Sequence, residues 1–354
     1  MAVLLKEMLL RCEERHLAHA TMEIGGNALI LVLERGGRIF GPFFDDGPGV
    51  YWTNQAWEQS DLFSSFLETP DWNLGGDRVW ISPEIQFSVT DRSDFWGTLR
   101  TPSAVDPGTY ALDAGSGVCE LTQELELEAH NLASGTTSLL LERCIYPAMD
   151  PLRSLAAYPV LMQGVAYSGY AQEIALEQRA GAHICAEAWN LTQVVPAGDI
   201  LIPAVPEAEV VNYYEPVDPQ HLERCSGFLR LRASGSRRYK VGVKSAHVCG
   251  AIAYLSTQDG APYLYIKSFP NNPSAGYAEE PAHLPGMNGF STHVYNDDGH
   301  SGGFSELECN LQTVGGSTNR RASRDVVCNW FYRGDEGRLK IILTKLTGIA
   351  SDWD

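Results

Sequence analysis

The acid–base side chains of this 354-residue sequence crowd into one stretch, Gly289–Asn310, GFSTHVYNDDGHSGGFSELECN. It holds two histidines (His293, His300), two aspartates (Asp297, Asp298) and two glutamates (Glu306, Glu308). NDDGHSGG in its middle reads as a tight turn, because Asn, Asp and Gly reach positive φ at little cost. Beyond the turn, a side-chain period of two puts Glu306 and Glu308 on one face of a strand. Carboxylates placed side by side repel unless a cation or a proton lies between them. A His/Glu combination there can serve as general acid and base around neutral pH. Glu308, Glu306, His293 and His300 are therefore the candidate catalytic residues, and Asp297 and Asp298 are assigned to the turn. A divalent-cation site from His293, Asp297, Asp298 and Glu306 has no recognised spacing. No metal and no cofactor are expected.

A second group lies in Asn73–Glu84, NLGGDRVWISPE. Gly75 and Gly76 let the backbone bend or approach a neighbour closely at the entry to a strand. On that strand Arg78, Trp80 and Ser82 share one face, and Val79 and Ile81 the other. An arginine beside a tryptophan presents donors to hydroxyls and a flat apolar platform to a sugar's C–H face. Arg78, Trp80, Asp77 and Glu84 are the candidate substrate-binding residues. The competing expectation is that Arg78 pairs with Glu84 or with a core carboxylate. His16, His19, His130, His183 and His247 are expected to be structural or solvated.

The elements that must position these groups are mostly strands. From Thr21 onward the sequence runs in short alternating segments punctuated by Gly, Pro, Asn and Asp. Trp80–Thr90, Cys119–Ala129, Ser138–Tyr146, Tyr158–Tyr167, Phe304–Gln312 and Leu339–Thr347 are among them. Many short strands at close spacing predict a large antiparallel sandwich or barrel. Leu4–Leu17 is the one convincing helix, with Leu5, Met8, Leu9 and Cys12 at helical spacing, packed on the outside of the body. Tyr51–Asp77, rich in aromatics, and Asn271–Gly289, rich in Pro and Gly, interrupt the strand rhythm. Such loops on a β scaffold are where binding groups usually sit. With no repeat and no shift in composition, residues 1–354 are expected to form a single domain.

Composition narrows the function classes. Hydrophobic residues at 44% and aromatics at 10% suffice for a large core. Formal charge is −18, from 44 acidic and 26 basic residues, which argues against nucleic acid or an anionic membrane as partner. No apolar run is long enough to span a bilayer. The eight cysteines form no CxxC, and MAVLLKEMLLRCEERHLAHA carries charges where a signal peptide needs an apolar core. Reduced thiols and a cytoplasmic location are expected. The motifs of nucleophilic hydrolases, kinases and dehydrogenases are absent.

Four segments resemble the galactose-mutarotase-like superfamily of aldose 1-epimerases. They are GGRIFG at Gly36–Gly41, NLGGDRVWISPE at Asn73–Glu84, AEAWNLTQVVPAGDILIPA at Ala186–Ala204 and GGFSELECNLQ at Gly302–Gln312. The resemblance covers about residues 21–350. It implies an all-β fold, a large antiparallel β-supersandwich carrying the short N-terminal helix. It implies a small-molecule carbohydrate as partner and an isomerase-type reaction, with a C-terminal glutamate taking the anomeric hydroxyl proton. Glu308 best matches that base, Glu306 is its rival, and Arg78 matches the substrate-binding arginine. The family's histidine motifs are missing, so the acid is expected from His293 or His300. The alternatives are a lyase or hydrolase on the same scaffold, or a carbohydrate-binding protein without catalysis.

Overall fold

The computed structural model describes residues 3–45, 47–258 and 260–351. Strand-forming text becomes two large antiparallel sheets. The first has nine strands, in the spatial order His19–Glu23, Ala28–Leu33, Arg38–Phe44, Asp77–Ser82, Glu187–Val194, Ser305–Asn310, Phe290–Asn296, Tyr239–Lys244 and Val210–Asn212. The second has ten, in the order Leu222–Cys225, Phe228–Ala233, Gly198–Pro203, Ala251–Gln258, Ala261–Ser268, Ala322–Arg333, Ala166–Ala180, Gly135–Pro147, Val118–Ala129 and Ala111–Gly115.

Alternation explains how the sheets stack. In Val118–Ala129, VCELTQELELEA, Leu121, Leu125 and Leu127 are buried while Glu120, Glu124, Glu126 and Glu128 are exposed. Those leucines meet Val79, Ile81, Leu307 and Val294 of the nine-stranded sheet in one core. Each such side chain contributes roughly 1.5–3 kcal/mol by leaving water. The interior between the sheets also holds a polar knot centred on Asp77. Its carboxylate accepts from Asn190, Thr192 and Gln172 at 3.0, 2.7 and 3.0 Å, with Arg143 at 3.3 Å. A buried charge persists only when so surrounded.

Helices cover the outer faces. The N-terminal helix, Leu5–Glu14, buries Met8 and Cys12 against Leu31, Leu33, Phe40, Trp57 and Phe63. Tyr51–Asp77, expected as a loop, contributes a short helix, Ser60–Leu67, to the same cluster. Three expected strands need correction. Leu339–Thr347 belongs to a helix, Glu336–Thr347, which places Leu339, Ile342 and Leu343 against Leu201, Leu264 and Ile266 of the ten-stranded sheet. Trp80–Thr90 ends as a strand at Ser82 and continues as a helical turn, Glu84–Phe87. Tyr158–Tyr167 begins with the helical turn Tyr158–Leu161. Asn271–Gly289 contains neither helix nor strand. The loop is fastened by its acids, with Glu279 accepting from the Glu84 amide at 2.6 Å and Glu280 pairing with Arg92 at 2.9 Å. All eight cysteines are free, and among the described residues no helix is long and apolar enough to cross a membrane.

Candidate functional site

The helices leave the middle of the nine-stranded sheet uncovered on its outer face, and a cavity of about 290 Å³ opens there. Register decides what lines it. Arg78 pairs across the sheet with Leu191, Leu191 with Glu308, and Glu308 with His293. In the next row Lys240 pairs with Tyr295, and Tyr295 with Glu306. Directly opposed residues in antiparallel strands share a face, so the local alternation Arg78/Trp80 and Glu306/Glu308 converges on one surface.

At one end of the cavity the Arg78 guanidinium lies between two indoles, 4.7 Å from the Trp72 ring centre and 4.3 Å from that of Trp80. Its Nη2 forms an ion pair with Glu306 Oε1 at 2.9 Å. Its Nε and Nη1 are buried without any protein partner. Unpartnered buried donors are costly and rare, and here they border an open cavity. Gly75 and Gly76 explain the approach. Both have positive φ, 97° and 80°, and a Cβ at either would press on a backbone carbonyl, that of Trp52 or Ile39.

At the other end Lys240 Nζ sits 3.1 Å from Glu84 Oε2 and 4.3 Å from the Trp189 ring centre. Trp189 Nε1 donates to Glu308 Oε2 at 3.1 Å. Burial pushes the Glu308 carboxyl up to about 8; the Lys240 charge works against this, while Glu306 and Glu84 reinforce it. Burial likewise raises Glu279, just behind Glu84, to about 8. Burial alone would lower Lys240, yet Glu84, Glu308 and Glu279 hold it above its ordinary value. Trp96, Tyr214, Phe304 and Arg238 complete the walls.

Of the candidate residues, Arg78, Trp80, Glu84, Glu306, Glu308 and His300 border the cavity. Asp77 and His293 do not. Asp77 faces the opposite way, into the inter-sheet knot, because it precedes Arg78 by one residue. His293 shares the Glu308 row, but it is fully buried and its Nε2 lies 2.9 Å from the Tyr213 hydroxyl. Burial, and then the Lys240 charge, hold its imidazole well below the usual range and so neutral. It does not border the cavity, contrary to the expectation that it supplies an acid. His300 is exposed at the mouth. Asp297 shapes the turn, its Oδ2 accepting from the amides of Gly299, Ser301 and Gly303 at 2.9, 3.1 and 2.9 Å. No group of three or more His, Cys, Asp or Glu side chains suited to a metal ion occurs among the described residues.

Sequence reasoning missed Lys240, Trp189, Trp72, Trp96, Tyr214 and Glu279. Lys240 left a signal, a lone cation between the buried apolar neighbours Tyr239 and Val241. The others come from distant segments, and only the fold brings them together.

No protein-family model matches the chain, and no curated protein matches its sequence. Solved structures do resemble it. A candidate aldose 1-epimerase from Klebsiella pneumoniae is 8% identical, with 95% of this chain and 84% of that one covered at a TM-score of 0.47. A galactose mutarotase related enzyme from Lactobacillus acidophilus is 7% identical, with 90% and 97% covered at 0.48. A 4-alpha-glucanotransferase from Thermococcus litoralis is 9% identical at 0.36; 93% of this chain and 42% of that one are covered. Likeness this distant leaves the function to be argued from the cavity's own residues.

Proposed function

We propose that the cavity binds a monosaccharide-sized carbohydrate and that Glu308 moves a proton at or near the anomeric carbon, as in a sugar epimerase or mutarotase. The observation that carries this reading is the pairing of two features in one aromatic pocket. Arg78 presents buried, unpartnered donors, and Glu308 is a carboxyl whose proton is held to about 8. Indole faces suit the C–H surface of a pyranose, and guanidinium donors suit its hydroxyls. A base is strongest near the pH at which it still ionises, so a carboxylate raised toward 8 accepts a proton better than an ordinary one. In this scheme Glu308 takes the proton of the anomeric hydroxyl. The bond from the anomeric carbon to the ring oxygen breaks, and the ring oxygen gains a proton from His300 at the mouth. Rotation about the C1–C2 bond and closure on the opposite face, with the ring hydroxyl's proton returned to His300 and the Glu308 proton to the anomeric oxygen, give the other anomer. Glu306 holds Arg78, and Glu84 holds Lys240. Residues as far apart in the chain as Trp72 and Glu308 line this one pocket, which supports a chain acting as a single domain.

Polarimetry of freshly dissolved α-glucose and α-galactose tests the reaction. Rotation should relax faster with the wild-type protein than with Glu308→Gln. Relaxation no faster than in the Glu306→Gln/Glu308→Gln double mutant would sink epimerisation of these sugars.

A further inference from the structure

Beside the 290 Å³ cavity lies a second, outer basin of about 760 Å³, and Trp96, Tyr214 and Arg238 line both. The inner space lies at the small end of the range for ligand pockets, roughly 300–1,000 Å³. One sugar ring suits it; the outer basin has room for more.

The shared wall is an aromatic platform. Trp96 is 52% exposed, a large apolar area to leave in water beside a cavity. Its ring centre is 4.8 Å from that of Tyr214, and the Arg238 guanidinium sits 5.0 Å from it on a face. Phe95, which borders the outer basin, meets Trp96 edge-on at 5.0 Å. The platform is held in place from below. Arg92 donates through Nε and Nη2 to the carbonyls of Ala282 and Pro281 at 2.9 and 3.1 Å, and its Nη1 pairs with the buried Glu280. Asp94 accepts from the Gly97 amide at 3.2 Å and fixes the turn that carries Trp96. A rigid ring stack of this kind loses little conformational freedom when a flat ligand settles on it.

We propose that the outer basin is a second sugar subsite, so that the ligand is a reducing oligosaccharide of at least two rings. One ring, with its anomeric carbon near Glu308, occupies the inner cavity, and the next lies on Trp96. The proposal rests on the reading of the inner cavity as a sugar site.

The test is ligand-observed NMR with the full chain. The probes are glucose and galactose, maltose, maltotriose, cellobiose, cellotriose and lactose. The best oligosaccharide should bind about tenfold tighter than its own monosaccharide, the worth of one good aromatic contact. In Trp96→Ala that ratio should fall toward one, and in Phe95→Ala it should fall part of the way. Monosaccharides bound as tightly as every longer probe would overturn the second subsite and leave the inner sugar site standing. An unchanged ratio in both variants would overturn the subsite equally. Failure of every probe to bind would overturn both readings together.

Discussion

Glu306 and Glu308 stand two residues apart on one strand and face one cavity, yet they live in different electrostatic company. Glu306 meets a single guanidinium at 2.9 Å, and the pair is nearly balanced within an indole clamp. Glu308 shares Lys240 with Glu84, which already holds the ammonium at 3.1 Å, and Glu279 lies close behind. One cation among three carboxylates cannot neutralise them all, so in a buried place one proton must stay. The strand thus makes a gripping end at Arg78 and a proton-holding end at Glu308. The difference comes from what the neighbouring strands put opposite each glutamate.

The contrast can be broken from either end. Glu308→Gln keeps the shape and removes the ionisable proton; turnover should fall about 10³-fold, measured by polarimetry. Arg78→Ala leaves the Glu306 carboxylate buried without its cation. Urea denaturation should show a loss of about 3 kcal/mol, partly recovered when Glu306→Gln is added. Stability should also respond to pH in a defined sense. Glu308 and Glu279 are held at about 8 in the fold against 4.5 otherwise. The folded protein therefore binds more protons between these values, and stability falls as pH rises from 4.5 to 8. The slope approaches about 1.4 kcal/mol per pH unit for the one proton the cluster keeps, and Glu308→Gln should flatten it in urea midpoints measured across that range. Lys240→Met removes the stronger of the two cations, Lys240 and Arg78, that oppose the proton on Glu308, so the pH–rate profile should move to higher pH. At the rim, Asp298→Asn breaks the pair with Arg238 at 3.2 Å, between groups 37% and 31% exposed. That change should alter stability by less than about 0.5 kcal/mol.

Where the relevant physics is local, the sequence was readable. Period-two alternation placed Glu306 with Glu308 and Arg78 with Trp80, and the Asn/Asp/Gly run gave the turn that Asp297 organises. The same rule, applied to Asp77, would have turned it away from Arg78 and out of the binding set. Two kinds of feature escaped. The helix Glu336–Thr347 carries a run of branched residues, IILT, that mimics a strand. Its Asp335 cap, accepting from the Arg338 amide at 3.2 Å, and Gly348 at φ 78° were the overlooked boundaries. The second kind is register between distant strands. It alone brings Lys240 and Trp189 to Glu308, and seats His293 under Tyr213, and no local pattern encodes it.

The central claim is that Glu308 keeps its proton near neutral pH at the edge of a sugar-sized cavity. Carbon-13 NMR of protein labelled at glutamate carboxyls, titrated with pH and compared with Glu308→Gln, reads this directly. A carboxyl missing from the variant that titrates near 8 is the predicted result. A Glu308 signal already ionised at pH 6 and unchanged from there to 9 would contradict the account.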